Sequence, residues 1–168
     1  MGPGMDGIAL PEGHRMYRFE SSAHLKQLLE AHFRDNDVLI MAAAVSDYRP
    51  MTVAEGKLPS DKGKPLSITL EPTPDLVKLC AETKRTGQFV VAFALEEAAH
   101  LEERAAAKMR RKGVDAIVAN PLQTMDAERI TAAVYLRDGR VLTAPPDLAK
   151  AVFADWLLDQ LPEICGQS

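Results

Sequence analysis

Thiol chemistry has little to work with in this chain: Cys80 and Cys165 are its two cysteines, and they lie far apart. That excludes a disulfide framework and a zinc-ligand spacing, and both read as ordinary thiols. The four histidines, His14, His24, His32 and His100, are scattered without ligand spacing. His32 falls on an apolar helix face, where a packed imidazole is the expected role. Glycine motifs are missing as well. Gly2 and Gly4 neither follow a strand nor open a helix, and GxGxxG, GxxxxGK[ST] and GxSxG do not occur. Dinucleotide fingerprints, P-loops and serine hydrolases are therefore without support. No apolar segment approaches the ~20 residues of a membrane span. The opening MGPGMDG lacks the basic and apolar regions of a signal peptide, so a cytoplasmic protein with no membrane partner is expected. A net charge of -4 points to no nucleic acid, although a small anion needs only a few cations in one place.

What is present is ordinary globular material. With 46% hydrophobic and 26% charged residues in 168, the chain suits one domain, residues 1–168, able to bury about two thirds of its unfolded surface. Residues 16–19 read as a short strand. Ser21 or Ser22 caps a helix with Leu25, Leu28, Leu29, His32 and Phe33 at helical spacing, closed by Asn36. Residues 37–44 read as one continuous apolar strand, the pattern of a parallel sheet covered on both faces, and 40–45 looks too apolar for a solvent loop. Residues 50–64, with Gly56, Pro59 and Gly63, form a loop long enough to be a flap.

Residues 66–70 alternate like a strand, and Pro74 suits the first turn of a helix striped by Leu76, Leu79 and Cys80. A buried strand follows at 89–93, a helix at 96–112 with Leu101, Ala105 and Met109 inward, and a strand at 116–119. Asp138-Gly139, between Tyr135 and Val141, marks a hairpin. A last helix spans 146–161. The alternation gives an α/β, Rossmann-like three-layer fold with an open, mostly parallel sheet and a C-terminal hairpin.

Ligands of such sheets sit beyond the carboxyl ends of the strands. Asp47 stands there, after AAAVS, although a turn before Arg49 and Pro50 explains it equally well. Lys108 and Lys112 are one helical turn apart, with Arg104 and Arg111 beside them and Asp115 the one local offset. That is either a wet basic face or a place for phosphates. Lys57, with Lys62 and Lys64 after it, lies in the flap, where lysines are either solvated or suited to closing over charge. In PTPDLV, Pro74 and Asp75 open a helix whose free N–H groups attract an anion, unless Asp75 serves the helix dipole alone.

Taken in order, AAAVSDYRP, Lys57, PDLV, VVAFALEE, the lysines of AAAKMRRKGVD and IVAN resemble the phosphopantothenoylcysteine synthetases of coenzyme A biosynthesis. Members usually read AAAVADYRP with a lysine ten residues after the aspartate, the spacing of Asp47 and Lys57. Where members read VVGFAAET, Ala92 replaces a glycine and Glu97 a threonine, and Phe93 is kept. The resemblance implies a ligase that uses CTP or ATP with Mg2+. The carboxylate of 4'-phosphopantothenate would become an acyl-nucleotide, and cysteine would then displace the nucleoside monophosphate to form an amide. It implies nucleotide contacts at Asp47, Lys57, Pro74, Asp75, Leu76, Val77, Phe93, Lys108 and Lys112, with Lys57 catalytic. It further implies substrate contacts at Ala43, Ala44 and Asn120, no protein-held metal cage, a homodimer, and a phosphopantothenoylcysteine decarboxylase as a partner.

Two departures stand out. The unit with which members begin, a strand, a glycine-rich turn and a segment like ISNRSSG, has no counterpart here, so the chain reads as truncated at its N-terminus relative to the family. Its loss predicts an exposed apolar sheet edge. A stretch like FGSDENEV is replaced around Met125 to Ile130, with Ile130 in place of an asparagine. The alternative to the ligase is a nucleotide-binding or assembly subunit without turnover. An oxidoreductase fragment would need a dinucleotide fingerprint that the chain lacks.

Overall fold

The computed structural model describes residues 12–52, 56, 63, 65–122 and 127–166. The first helix, α1 (Ser22–His32), starts where Ser21 accepts a hydrogen bond from the His24 N–H, 3.1 Å away. A short 3-10 turn, Phe33–Asp35, follows, and Asn36 Nδ2 donates to the His32 carbonyl at 2.7 Å. Then come β1 (Val38–Met41), β2 (Tyr48–Pro50) and β3 (Leu70–Pro72). Next are α2 (Leu76–Thr83), β4 (Phe89–Glu96) and α3 (Leu101–Lys112), which ends at Gly113. Gly113 sits at φ 70 and donates to the Met109 carbonyl at 2.9 Å, a left-handed stop that glycine adopts without strain. After it come β5 (Ala116–Pro121), β6 (Arg129–Ile130), β7 (Ala133–Leu136), β8 (Val141–Thr143), β9 (Leu148–Ala149), α4 (Lys150–Asp159) and α5 (Leu161–Ile164).

The main sheet has five strands in the order β1-β4-β5-β7-β8. The β1/β4 and β4/β5 pairs are parallel, and β7 pairs antiparallel with both β5 and β8, so β7 alone runs against the rest. This is the expected mostly parallel α/β sheet with a terminal hairpin. Its two faces alternate along each strand. Val90, Ala92, Ala94, Ile117 and Ala119 pack under Phe33, Cys80, Ala105 and Met109 of the first helical layer. Val91, Val118, Val134 and Leu136 pack under Phe153 and Leu157 of α4 and Ile164 of α5. Val90, Val91, Ile117, Val118 and Val134 are wholly buried, each contributing about 1.5–3 kcal/mol by leaving water. Among the described residues no helix is long and apolar enough to cross a membrane.

Several local expectations fail for identifiable reasons. Residues 16–19 form no strand; Tyr17 instead stacks on His32 with ring centroids 4.1 Å apart. The apolar run after β1 leaves the sheet at Met41, and Ala42, Ala43 and Ala44 are exposed. Apolarity there is small-residue composition in a cleft wall, and it does not mark strand interior. The 66–70 strand is displaced to β3, because pairing of Tyr48 with Pro72 and of Pro50 with Leu70 sets the register. Leu79 is exposed on α2, and Ala81 takes the inward position with Leu76 and Cys80. The expected 146–161 helix is divided into β9, α4 and α5.

Candidate functional site

Because β1, β4 and β5 are parallel, with Met41 beside Ala92 and Glu96 beside Pro121, their carboxyl ends open on one side of the sheet. A cleft of about 1080 Å³ lies there. Residues from five separate parts of the chain meet in it. Ala43, Ala44 and Asp47 arrive from the loop after β1, and Pro74, Asp75, Leu76 and Val77 from the start of α2. Phe93 belongs to β4, Lys108 and Lys112 to α3, and Asn120 to β5. Asn120 is buried, and Asp47 and Pro74 are exposed. The loop is held in place where Thr73 donates its N–H to the Asp47 carbonyl at 2.8 Å. Lys57, with Lys62 and Lys64, lies outside the described residues, as do Met125 and Asp126.

Pro74 precedes the N-cap instead of opening the helix. Asp75 is the cap, and its Oδ1 accepts from the Lys78 N–H at 3.1 Å. That N–H is therefore already engaged, which corrects the reading of α2 as an end of wholly free donors. The basic face of α3 is also less isolated than its own sequence neighbours imply. Lys112 Nζ lies 2.8 Å from Asp75 Oδ2, and Lys108 Nζ lies 3.4 Å from Glu96 Oε1. Arg104 reaches Glu97 at 3.0 Å and Glu96 at 3.6 Å. The offset comes from other elements. Asp115 is committed elsewhere: it pairs with Lys84 and accepts the Val90 N–H at 2.9 Å.

Partial burial pushes the Asp75 carboxyl up, but hydrogen bonds from Lys112 and the Lys78 N–H, with the charges of Lys112 and Arg111, outweigh it and hold the group below the usual carboxylate value. Burial, with the charge of Glu30, pushes the Cys80 thiol up to about 11, which keeps it an inert packed thiol.

Sequence reasoning missed Glu96, whose tie to Lys108 spans a turn between β4 and α3, and Thr73, which lines the cleft together with Arg111. It missed the contribution of α4, where Phe153, Ala154, Leu157 and Leu158 form an apolar flank. Ile130, in place of the asparagine, is buried beside Phe153 and Leu157 and lines the same flank. No short-range signal links α4 to the other elements.

The model of the DNA/pantothenate metabolism flavoprotein C-terminal domain family matches residues 3–164. The chain is 30% identical over 166 residues to a coenzyme A biosynthesis bifunctional protein CoaBC of Vibrio vulnificus, covering 95% of this chain and 41% of that protein. The solved C-terminal domain of a CoaBC protein superposes with a TM-score of 0.75 at 28% identity, over 99% of this chain and 75% of that one. A Cab2 mutant solved in complex with phosphopantothenate-cysteine shares the fold, with a TM-score of 0.63 at 17% identity, over 89% of this chain and 53% of that one. The chain spans between 28% and 41% of the length of the curated relatives it matches. A fold, a carboxyl-end cleft and a family match over nearly every residue agree, and the chain belongs to the DNA/pantothenate metabolism flavoprotein C-terminal domain family.

Proposed function

We propose that this domain is a ligase of coenzyme A biosynthesis that joins 4'-phosphopantothenate to cysteine through an acyl-nucleotide, with CTP or ATP as co-substrate. The observation that carries the reading is the meeting of Lys108 and Lys112 with Asp47, Asp75, Phe93 and Asn120 in one cleft. The family match and the phosphopantothenate-cysteine complex of a protein of the same fold support it.

A carboxylate is a poor acyl donor, because an oxide leaving group departs badly; nucleotide activation replaces it with a good one. One carboxylate oxygen attacks the α-phosphorus, and the bond to pyrophosphate breaks. The cysteine amine then attacks the acyl carbon, the C–O bond to the nucleoside monophosphate breaks, and the nitrogen loses a proton. Lys108 and Lys112 hold the phosphate tail and spread its developing charge. Phe93 and the Pro74 to Val77 segment shape the nucleoside site, and Asp47 offers an acceptor at its rim. Asn120, Ala43 and Ala44 border the substrate, and Lys57 is assigned the catalytic cation.

Among the described residues no cluster of three or more His, Cys, Asp or Glu gathers to hold a metal. This donor set fits an Mg2+ that arrives on the phosphates with most of its waters, touched by one carboxylate at most. When bound, the ion neutralises phosphate charge.

A homodimer belongs to the same reading. Tyr48 and Leu70 on the β2–β3 ribbon, and Leu66 and Ile68 in the segment leading into β3, are exposed, a surface suited to a second copy. A cytoplasmic setting and a decarboxylase partner are proposed with it.

The test is pyrophosphate release that requires phosphopantothenate and vanishes in Lys57→Gln. The second reading, nucleotide binding without turnover, is favoured by Ile130, which lines the cleft where the resemblance expects an asparagine. It predicts a thermal shift with nucleotide and no pyrophosphate.

A further inference from the structure

A cation reaches the cleft from the layer opposite α3. The α4 residues that line it, Lys150, Phe153, Ala154, Leu157 and Leu158, recur at the spacing of one helix face. Lys150 therefore heads the stripe whose apolar members wall the cleft. Lys108 is paired with Glu96 and Lys112 with Asp75. Lys150 is the one lysine of the lining that no carboxylate among the described residues pairs with, so its charge is spare for a ligand.

The base of that side chain is fixed. The Lys150 N–H donates to the Glu128 carbonyl at 3.1 Å, and Arg129 and Ile130 pair with Ala149 and Leu148. Just before them Asp147 stands at φ 54 and donates its N–H to Thr131 Oγ1 at 3.0 Å, a left-handed position that aspartate adopts more readily than most residues. The β6–β9 ribbon thus sets where α4 begins and where Lys150 leaves it.

Positive charge in the cleft stands at two poles. α3 packs through Ala105 and Met109 on the face of the sheet that holds Val90 and Ile117, and α4 packs through Phe153 and Leu157 on the face that holds Val91 and Val118. Phe93 and the buried Asn120 lie on the strands between. The substrate of the proposed ligase is itself a molecule of two poles: a carboxylate at one end and a phosphate at the other, joined through an amide and a carbon that bears two methyl groups. Its carboxylate has to meet the α-phosphorus of the nucleotide. Its phosphate is best placed away from the triphosphate, because like charges repel.

We propose that Lys150 is the cation that receives the phosphate of 4'-phosphopantothenate, with Ile130 and Phe153 against the methyl-bearing carbon and Asn120 beside the amide. Ile130 and Phe153 are buried together next to Lys150 on the cleft wall. Lys150 is then a specificity determinant, the residue that separates phosphopantothenate from pantothenate, and it acts in binding. The identity of the ligand rests on the ligase reading.

The experiment is calorimetric titration of the 168-residue chain with 4'-phosphopantothenate and, separately, with pantothenate. Each is run with Mg2+ and an α,β-methylene nucleoside triphosphate, which cannot release pyrophosphate. The parent should prefer the phosphorylated ligand about 10-fold to 100-fold, the worth of one hydrogen bond to a charged group. Lys150→Gln should lose that preference, keeping its affinity for pantothenate and for the nucleotide analogue, and Lys150→Arg should retain it. Both variants should keep the parent's melting temperature, since Lys150 is exposed. The proposal is overturned by no binding of 4'-phosphopantothenate or no preference in the parent, by an unchanged preference in Lys150→Gln, or by an equal loss for both ligands. A loss of affinity for the nucleotide analogue alone also overturns it, since Lys150 then serves the triphosphate. Failure of the ligase reading looks different: a Lys150-dependent preference without pyrophosphate release from CTP or ATP removes turnover and leaves the phosphate site standing.

Discussion

Lys112 Nζ lies 2.8 Å from Asp75 Oδ2, joining the last turn of α3 to the N-cap of α2 across the mouth of the cleft. One carboxylate thus ends a helix and neutralises a cation that the phosphate reading needs. Lys108 is held likewise by Glu96. On the proposed function, a triphosphate entering the cleft would exchange these carboxylates for its own oxygens, with the lysines already positioned for it.

Asp75→Ala removes the cap and should cost about 1 kcal/mol, lowering the melting temperature by about 3 °C. The carboxyl is held below its usual value, so its ionised form stabilises the fold above the unfolded pKa of about 3.9. That contribution is lost as pH falls through the lower folded value. Thermal melts of both proteins should therefore differ most near neutral pH and converge in acid below about pH 4. A gap that widens in acid would contradict the assignment.

Lys108→Gln and Lys112→Gln should each weaken triphosphate binding about 10-fold to 100-fold, the worth of one hydrogen bond to a charged group. Neither should move the melting temperature by more than a few degrees, because a glutamine at either position can still donate a hydrogen bond toward the facing carboxylate. Titration at rising salt checks the cause: the variants should show a shallower salt dependence than the parent.

Much of this was legible in the residues themselves, but unevenly. β4 and β5 stand out because both their faces are buried, which leaves continuous apolar runs, and Asp138-Gly139 announces the β7–β8 turn because few other pairs fit it. The run 42–46 misleads, since alanine is as common in a cleft wall as in a strand, and the sheet ends at Met41. The cleft residues could be chosen by their place after strands. The carboxylates that hold the lysines could not, because Asp75 lies 37 positions from Lys112 and no periodicity couples them.

Asp115 is a structural carboxylate between Lys84 and the Val90 N–H. Asp115→Ala leaves both unsatisfied in a largely buried place and should cost about 3 kcal/mol in urea unfolding. A loss under about 1 kcal/mol, the figure for an exposed pair, would show that Lys84 finds water instead.

Ile117 is wholly buried between β4 and β7. Ile117→Ala should destabilise by about 2–5 kcal/mol, and Ile117→Val by about 1 kcal/mol. Equal losses for the two would indicate that the layer collapses onto the cavity.

The central claim is that cations from α3 gather around a nucleoside triphosphate in the carboxyl-end cleft. Isothermal titration of the chain with CTP or ATP in the presence of Mg2+, set beside the Lys108→Gln/Lys112→Gln double variant, tests it most directly. The account predicts saturable binding that the double variant loses by about 100-fold or more. Equal affinity in both proteins, or no heat of binding in the parent, would contradict it.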